Sequence, residues 1–276
     1  MFKVLTYLKK RTIKREEFNM NVQELFDLKG QVALITGGGR GLGEQIAEVY
    51  AEMGCDLALC SRKKENCEEV AERLAREYGI KAQSYTLDVT NETQVEEVVS
   101  QVLADFRKID VLVNNSGATW GASVEEMPLE AWNKVMNVNV TGTFLMSKAV
   151  GKHMIDQRYG KIINIASAAG LTVRPPEVTN TIGYTTSKAA VIHFTKDLAI
   201  KWARHNIYVN AIAPGMFRSK MTAGTLAQKE EAVLETIPLR KIGDENMLKG
   251  AAIYLATKAS DFVTGTVLSV DGGSTL

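Results

Sequence analysis

A short apolar run at residues 31–36 (QVALIT) ends in a glycine-rich turn, TGGGRGLG at 36–43. Apolar side chains then recur at helical spacing, at Leu42, Ile46, Val49, Tyr50 and Met53, until Gly54 closes the helix. Few folds accept that order. The run reads as a strand buried on both faces, as in a parallel sheet. Gly37, Gly41 and Gly43 supply backbone angles that side chains forbid. They also let an anion approach the N–H groups at the positive end of the helix. Strand, glycine turn and helix together read as a dinucleotide site, to which Gly39, Arg40 and Leu42 of the same turn are assigned.

The pattern continues in the same alternation. Strands are expected at 56–60, 80–87, 109–113, 161–166, 207–212 and 266–270. Helices are expected at 64–78, from a cap at Thr90 or Asn91 to about Phe106, at 131–157, at 185–204 and at about 245–257. Strands separated by helices of this length make parallel βαβ units. The expected fold class is therefore α/β, a doubly wound parallel sheet in a Rossmann-type three-layer sandwich, as one domain. The stretch at 214–240 has weaker periodicity and is expected to form a lid.

Cofactor choice is read at the end of the second strand. An acidic residue there would bind a ribose 2′-hydroxyl and repel a 2′-phosphate. This chain has Ser61, Arg62 and Lys63, with Arg40 in reach from the glycine turn. Guanidinium groups and a hydroxyl suit a phosphate, so NADP(H) is expected over NAD(H).

Tyr184 and Lys188 lie four apart in a helical stretch and share one face. A free phenol titrates near 10, too high for proton transfer near neutrality, and a neighbouring ammonium favours the phenolate. Ser167, just after a strand, completes a group suited to acid–base work on a carbonyl or alcohol.

Composition excludes other classes. The net charge of +1 gives no reason to expect a nucleic-acid partner, and no apolar run approaches a membrane span. Cys55, Cys60 and Cys67 are too few and too clustered for a disulfide framework, and read as reduced thiols of a cytoplasmic protein. Three scattered histidines offer no metal-ligand spacing, so no metal is expected. Residues 1–20 carry +4, leaving −3 for 21–276. They read as a basic extension outside a domain spanning 21–276, with Met20 a candidate first residue. The other reading is an amphipathic arm against a membrane surface or a neighbouring subunit.

These motifs, in this order, resemble the short-chain dehydrogenase/reductase family in its single-domain branch, over residues 26–276. TGGGRGLG matches the cofactor loop and Asp88-Val89 the adenine contact. Asn114-Asn115-Ser116-Gly117 matches NNAG with Ser116 for alanine, placing Asn115 and Gly117 at the cofactor. Pro214-Gly215 matches the PG turn, and Ser219 stands where a threonine usually meets the nicotinamide amide. The resemblance implies Tyr184 as acid/base and Ser167 as holder of the substrate oxygen. It makes Lys188 the group that favours the phenolate and binds the nicotinamide ribose. Asn139, in NVNVTG, would hold a proton-relay water. All four catalytic positions are filled, which argues against a nucleotide-binding sensor. The family also implies a homotetramer, or a dimer, through the helices at 131–157 and 185–204.

Two branches look similar, the 3-oxoacyl thioester reductases (carrier protein or coenzyme A, including those of rhamnolipid type) and the gluconate 5-dehydrogenase-like enzymes. Ala118, Thr119, Trp120, Met216, Phe217 and a lid helix with Met221 and Leu226 are expected to line the pocket. That apolar set favours an acyl chain over a polyol. Arg174, Arg218 and Lys220 are candidates to meet an acyl carrier protein, coenzyme A phosphates or a sugar carboxylate. Ser167 and Tyr184 are 17 residues apart, longer than in many relatives. The intervening LTVRPPEVTNTIG, stiffened by Pro175 and Pro176, is expected to shape specificity.

Overall fold

All seven expected strands form. The computed structural model describes residues 20–176, 179–220 and 222–276; the basic extension at 1–19 and Met221 of the expected lid lie outside the described residues. In chain order the first elements are α1 (Val22–Leu25), β1 (Val32–Thr36), α2 (Gly41–Glu52), β2 (Asp56–Ser61), α3 (Lys64–Tyr78) and β3 (Ala82–Thr86). Then come α4 (Glu92–Phe106), β4 (Val111–Asn114), α5 (Leu129–Met136), α6 (Gly142–Gln157), β5 (Gly160–Ile165) and α7 (Ile182–Trp202). The chain closes with β6 (Ile207–Pro214), α8 (Ala223–Glu235), α9 (Lys249–Ala256) and β7 (Val267–Val270).

The strands pair in parallel in the order β3-β2-β1-β4-β5-β6-β7. Strand order reverses between β1 and β4, so a crevice opens at their carboxyl ends, where doubly wound sheets hold ligands. Alternate residues along each strand feed two cores. Ala33, Ile35, Leu57 and Leu59 meet Ile46 and Tyr50 of α2, Leu74 of α3 and Leu255 of α9. Leu34, Ala58, Leu112 and Ile162 meet Val102 of α4, Met146 and Val150 of α6 and Leu198 of α7. The result is the three-layer sandwich that unbroken apolar strands require.

Several boundaries differ from the sequence reading. Asn91, not Thr90, caps α4, accepting from the Gln94 N–H at 3.1 Å. The helix expected across 131–157 is interrupted by a π-helical turn, Asn137–Thr141, between α5 and α6. Such turns insert one extra residue and aim a side chain where a regular helix would not; here that residue set includes Asn139. Helix α7 starts three residues early, and α9 is shorter than 245–257. Helix α8 forms within the weakly periodic stretch, with a non-helical residue at Lys229 (φ −139°). The capping box of Asn21 and Glu24 that opens α1 was not anticipated. Nor was Lys161, fully buried near the start of β5 and paired with Asp261 at 2.7 Å.

Candidate active site

The glycine turn forms a cradle at the carboxyl end of β1. Gly37 has φ +67°, and a Cβ on Gly43 would lie 2.2 Å from the Gly37 carbonyl oxygen, so both positions demand glycine. Gly39 is pressed on the first turn of α3, where a Cβ would come within 2.6 Å of Asn66 backbone. Asn115 fastens the turn, its Nδ2 donating to the carbonyls of Thr36 (2.9 Å) and Gly37 (3.1 Å). Thr36 Oγ1 accepts from the Asn115 and Ser116 N–H groups, both at 3.0 Å. Gly41, at φ +57°, faces open space: a Cβ there would meet nothing within 4 Å. Arg40 caps α2 without a side-chain hydrogen bond. The first N–H groups of a long helix thus point into an open, side-chain-free cradle, a fit for a pyrophosphate.

Ser61 is half-buried at the end of β2, its hydroxyl donating to the Lys63 carbonyl. Arg40 and Arg62 are exposed, and among the described residues neither forms an ion pair. Asp88 is held below the usual carboxylate range. Burial pushes it upward, but two hydrogen bonds from Thr90, from its N–H (2.9 Å) and hydroxyl (2.7 Å), and the Arg62 charge outweigh that. Val89 is buried against Gly142, where a Cβ would lie 2.7 Å from Val89 Cγ2.

The catalytic candidates converge at the ends of β4 and β5. Ser167, buried, opens the short turn after β5, its Oγ accepting from the Ala169 N–H at 3.2 Å. Tyr184 sits on the first turn of α7. Burial pushes its phenol up, and a hydrogen bond with the Ser167 side chain pulls it partly back. Lys188, one turn on, is buried, and desolvation holds its ammonium down to about 8. Its Nζ donates to the Ile165 carbonyl at 2.7 Å and lies 5.6 Å from the Tyr184 ring centroid. A Cβ on Gly117 would lie 3.4 Å from Asn139 Oδ1 and 3.7 Å from Lys188 Nζ, so Gly117 leaves room between them.

Asn139 uses its whole amide. Oδ1 accepts from the Ala118 N–H (2.7 Å); Nδ2 donates to the Ala118 carbonyl (2.9 Å) and to Ser187 Oγ (2.8 Å). Ser187 in turn donates to the Tyr184 carbonyl at 2.7 Å. The π turn thereby ties the β4 loop to the helix carrying Tyr184. The sequence reading missed Ser187, although its place three residues after Tyr184, on the same helical face, was a usable signal.

The walls are mixed. Gly215 lies flat on the C-terminal turn: its N–H donates to Val270 at 3.0 Å, and a Cβ would meet Asp271 Cα at 2.7 Å. Ser219 donates its N–H to Thr222 Oγ1 at 3.0 Å, a partner that sequence reasoning did not name. Thr119 is exposed and Trp120 is 44% exposed. Met216 packs on the lid cluster of Leu226, Ile237 and Ile242. Phe217, expected at the pocket wall, instead carries its ring into the core against Gly243, which has no side chain to exclude it. Arg218 is paired with Glu230 of α8. Arg174 donates Nη2 to the Ser274 carbonyl at 2.7 Å.

Among the described residues no helix is long and apolar enough to cross a membrane, and no three His, Cys, Asp or Glu side chains are grouped as metal ligands. The three cysteines are buried and unbridged.

The family model described as short chain dehydrogenase matches residues 31–230. Gluconate 5-dehydrogenase of Gluconobacter oxydans (strain 621H) is 36% identical over 259 residues, covering 93% of this chain and 99% of that protein. The 3-oxoacyl-[acyl-carrier-protein] reductase of Aquifex aeolicus (strain VF5) is 36% identical over 246 residues, covering 89% and 98%. Among solved structures, a gluconate 5-dehydrogenase from Burkholderia cenocepacia J2315 in complex with NADP and tartrate superposes with a TM-score of 0.87. It shares 36% identity over 92% of this chain and 99% of that one.

Proposed function

The chain belongs to the short-chain dehydrogenase/reductase family, whose members here are oxidoreductases of CH–OH and keto groups, and on that premise we propose that it reduces a 3-oxoacyl thioester with NADPH. The observation that carries the substrate class is a set of exposed apolar side chains on the loop after β4, the loop after Ser167 and the first residue of α7. Trp120 (44%), Leu171 (42%), Val173 (96%) and Ile182 (37%) all expose large apolar side chains there. An acyl chain gains by covering such groups, whereas a polyol needs a dense set of hydrogen-bond partners. Of the cationic candidates for a sugar acid, Arg218 is engaged by Glu230 and Arg174 by Ser274, whereas Lys220 is exposed.

NADP(H) is supported by the cradle, by the unpaired Arg40 and Arg62 beside Ser61, and by the NADP held in the Burkholderia relative. Gly37 to Gly43 would hold its pyrophosphate, Asp88 and Val89 its adenine, and Asn115, Gly117, Pro214, Gly215 and Ser219 the nicotinamide half. When bound, the cofactor supplies the hydride. Tyr184 gives its phenolic proton to the carbonyl oxygen, leaving the alcohol. Ser167 holds that oxygen by hydrogen bond as charge develops on it. Lys188 favours the phenolate left behind and would hold the nicotinamide ribose. Asn139 and Ser187 fix the distance between Gly117 and α7.

The reading extends to a catalytic domain at 21–276 with a dispensable basic extension at 1–20, to the cytoplasm, and to an acyl carrier protein as bearer of the thioester. It also includes a homotetramer through α6 and α7, on which Phe144 (48%) and Ile200 (82%) are exposed. A second reading, a gluconate 5-dehydrogenase-like oxidoreductase, is favoured by the 36% identity to the Gluconobacter enzyme.

One assay separates them: oxidation of NADPH, and of NADH in parallel, with a medium-chain 3-oxoacyl thioester and with 5-keto-gluconate. The proposal expects turnover of the thioester with NADPH preferred. Turnover of the keto-acid alone would overturn the substrate class, and equal use of NADH would overturn the cofactor assignment.

A further inference from the structure

Two asparagines pin the loop that carries Trp120, and neither was expected from the sequence to do so. At its first end, Asn139 brackets the Ala118 peptide, bonding both its N–H and its carbonyl (2.7 and 2.9 Å). At its far end, Asn180 does the same to Ala122. The Ala122 N–H donates to the Asn180 carbonyl at 3.0 Å. The Asn180 amide, oriented to satisfy both its atoms, donates Nδ2 to the Ala122 carbonyl at 2.8 Å and accepts from the Ser123 N–H at 3.2 Å. Between the two brackets lie three residues, Thr119 to Gly121, with the exposed Trp120 in the middle.

Asn180 is itself anchored. It lies four residues before Tyr184, and the next residue, Thr181, accepts the Thr185 N–H at 3.0 Å in the first turn of α7. Upstream, Thr179 donates its N–H to the Pro175 carbonyl at 3.1 Å, and Arg174 is fastened to Ser274. Both brackets therefore belong to the elements that hold the catalytic group, the π turn and the start of α7.

We propose that Asn180 is a positioning residue for substrate, clasping the Trp120 loop to the start of α7 so that Trp120 stands at a fixed distance from Tyr184 and Ser167. The inference rests on the reading of this site as a carbonyl reductase. It assigns Asn180 no contact with substrate; it acts through Trp120. A side chain with one donor and one acceptor aimed along a peptide edge does what a strand neighbour would, and no apolar or charged residue replaces both bonds.

Asn180→Ala removes the two side-chain bonds and keeps the backbone one. For whichever carbonyl the wild type reduces, the variant is expected to raise KM about tenfold with kcat changed less than about twofold. NADPH affinity, read from the cofactor's fluorescence, stays the same. In a Trp120→Ala background the same substitution changes KM little, because the group it positions is gone. Hydrogen exchange of the intact protein should show faster exchange at 118–123 and nowhere outside that loop and 171–181. A general loss of stability, with kcat and NADPH affinity falling while KM rises, would overturn the proposal, as would additive effects of the two substitutions. If the wild type reduces none of the carbonyls offered, the functional reading fails. The clasp is then decided by exchange alone, and unchanged exchange at 118–123 overturns it.

Discussion

Strand β5 has a buried lysine at each end, and the two are treated differently. Lys161, near its start, is 0% exposed and lies 2.7 Å from the carboxylate of Asp261. It also bonds Ser260 Oγ at 3.1 Å and stacks 4.0 Å from the centroid of Tyr208. Lys188 is 5% exposed and bonds the carbonyl of Ile165, the strand's last residue, at 2.7 Å, with the Tyr184 ring beside it. Burial pushes both ammonium groups down. At Lys161 the hydrogen bond and charge of Asp261 pull back; at Lys188 no carboxylate opposes the push, and the group is held at about 8. A buried cation given a counterion closes the bottom of the sheet. One given only neutral partners stays available to whatever anion forms beside it, and in the proposed mechanism that anion is the Tyr184 phenolate.

The sharpest way to break this comparison is to remove each cation's role in turn. Lys188→Met is expected to lower kcat about a thousandfold or more, since the phenolate then has no ammonium to favour it. Turnover within tenfold of wild type would place the chemistry elsewhere. Asp261→Ala attacks the other end. It strands Lys161 without a counterion and, because Asp261 is itself partly exposed, is expected to cost about 2 kcal/mol of stability, with kcat at permissive temperature unchanged. In thermal unfolding that is roughly 5 °C in Tm. Adding Lys161→Met should return most of the loss, because the uncompensated charge is then absent. A double variant no more stable than Asp261→Ala would show that Asp261 acts through some other contact.

Lys188 was legible in the sequence and Lys161 was not, for a physical reason. Lys188 stands four residues after Tyr184 on one helical face, and the glycine turn upstream and Ser167 after a strand gave that spacing its meaning. Lys161 stands next to Gly160 at the start of an apolar run, and its partners Tyr208 and Asp261 are 47 and 100 residues away in sequence. Only the parallel register of β5 on β6, which sets Lys161 opposite Tyr208, brings the first of them near. The same contrast runs through the site. The cradle, Ser167, Tyr184 and Asn139 sit in local motifs and were read from them. The π turn, the Asn180 bracket and the burial of Phe217 against Gly243 depend on contacts between segments far apart in the chain. Strand positions were most legible in β1, β2 and β4, whose residues are almost all apolar and buried. Helix ends were less so, since caps and π turns depend on one or two polar side chains whose partners lie in other elements.

The smaller prediction sharpens the comparison through pH. The folded value for Lys188, about 8, lies below its usual 10.5, so folding expels its proton between those values. A depressed group of this kind lends its full stability above 10.5 and loses it as pH falls through about 8. At pH 7, Lys188→Met is therefore expected to be more stable than wild type, by about 3 kcal/mol. The gap should shrink toward zero as pH rises to about 10.5. Lys161 is the same in both proteins and cancels from that difference. Activity runs the other way: wild-type reduction should fall as pH rises through about 8, when Lys188 loses the charge that favours the phenolate. Stability that climbs while turnover falls over one pH interval is the signature of a cation buried for chemistry. A gap that does not change with pH would mean that Lys188 titrates alike in the folded and unfolded chains, so that burial does not push its ammonium down; a gap that keeps widening below pH 8 would mean that Lys188 stays neutral in the folded protein.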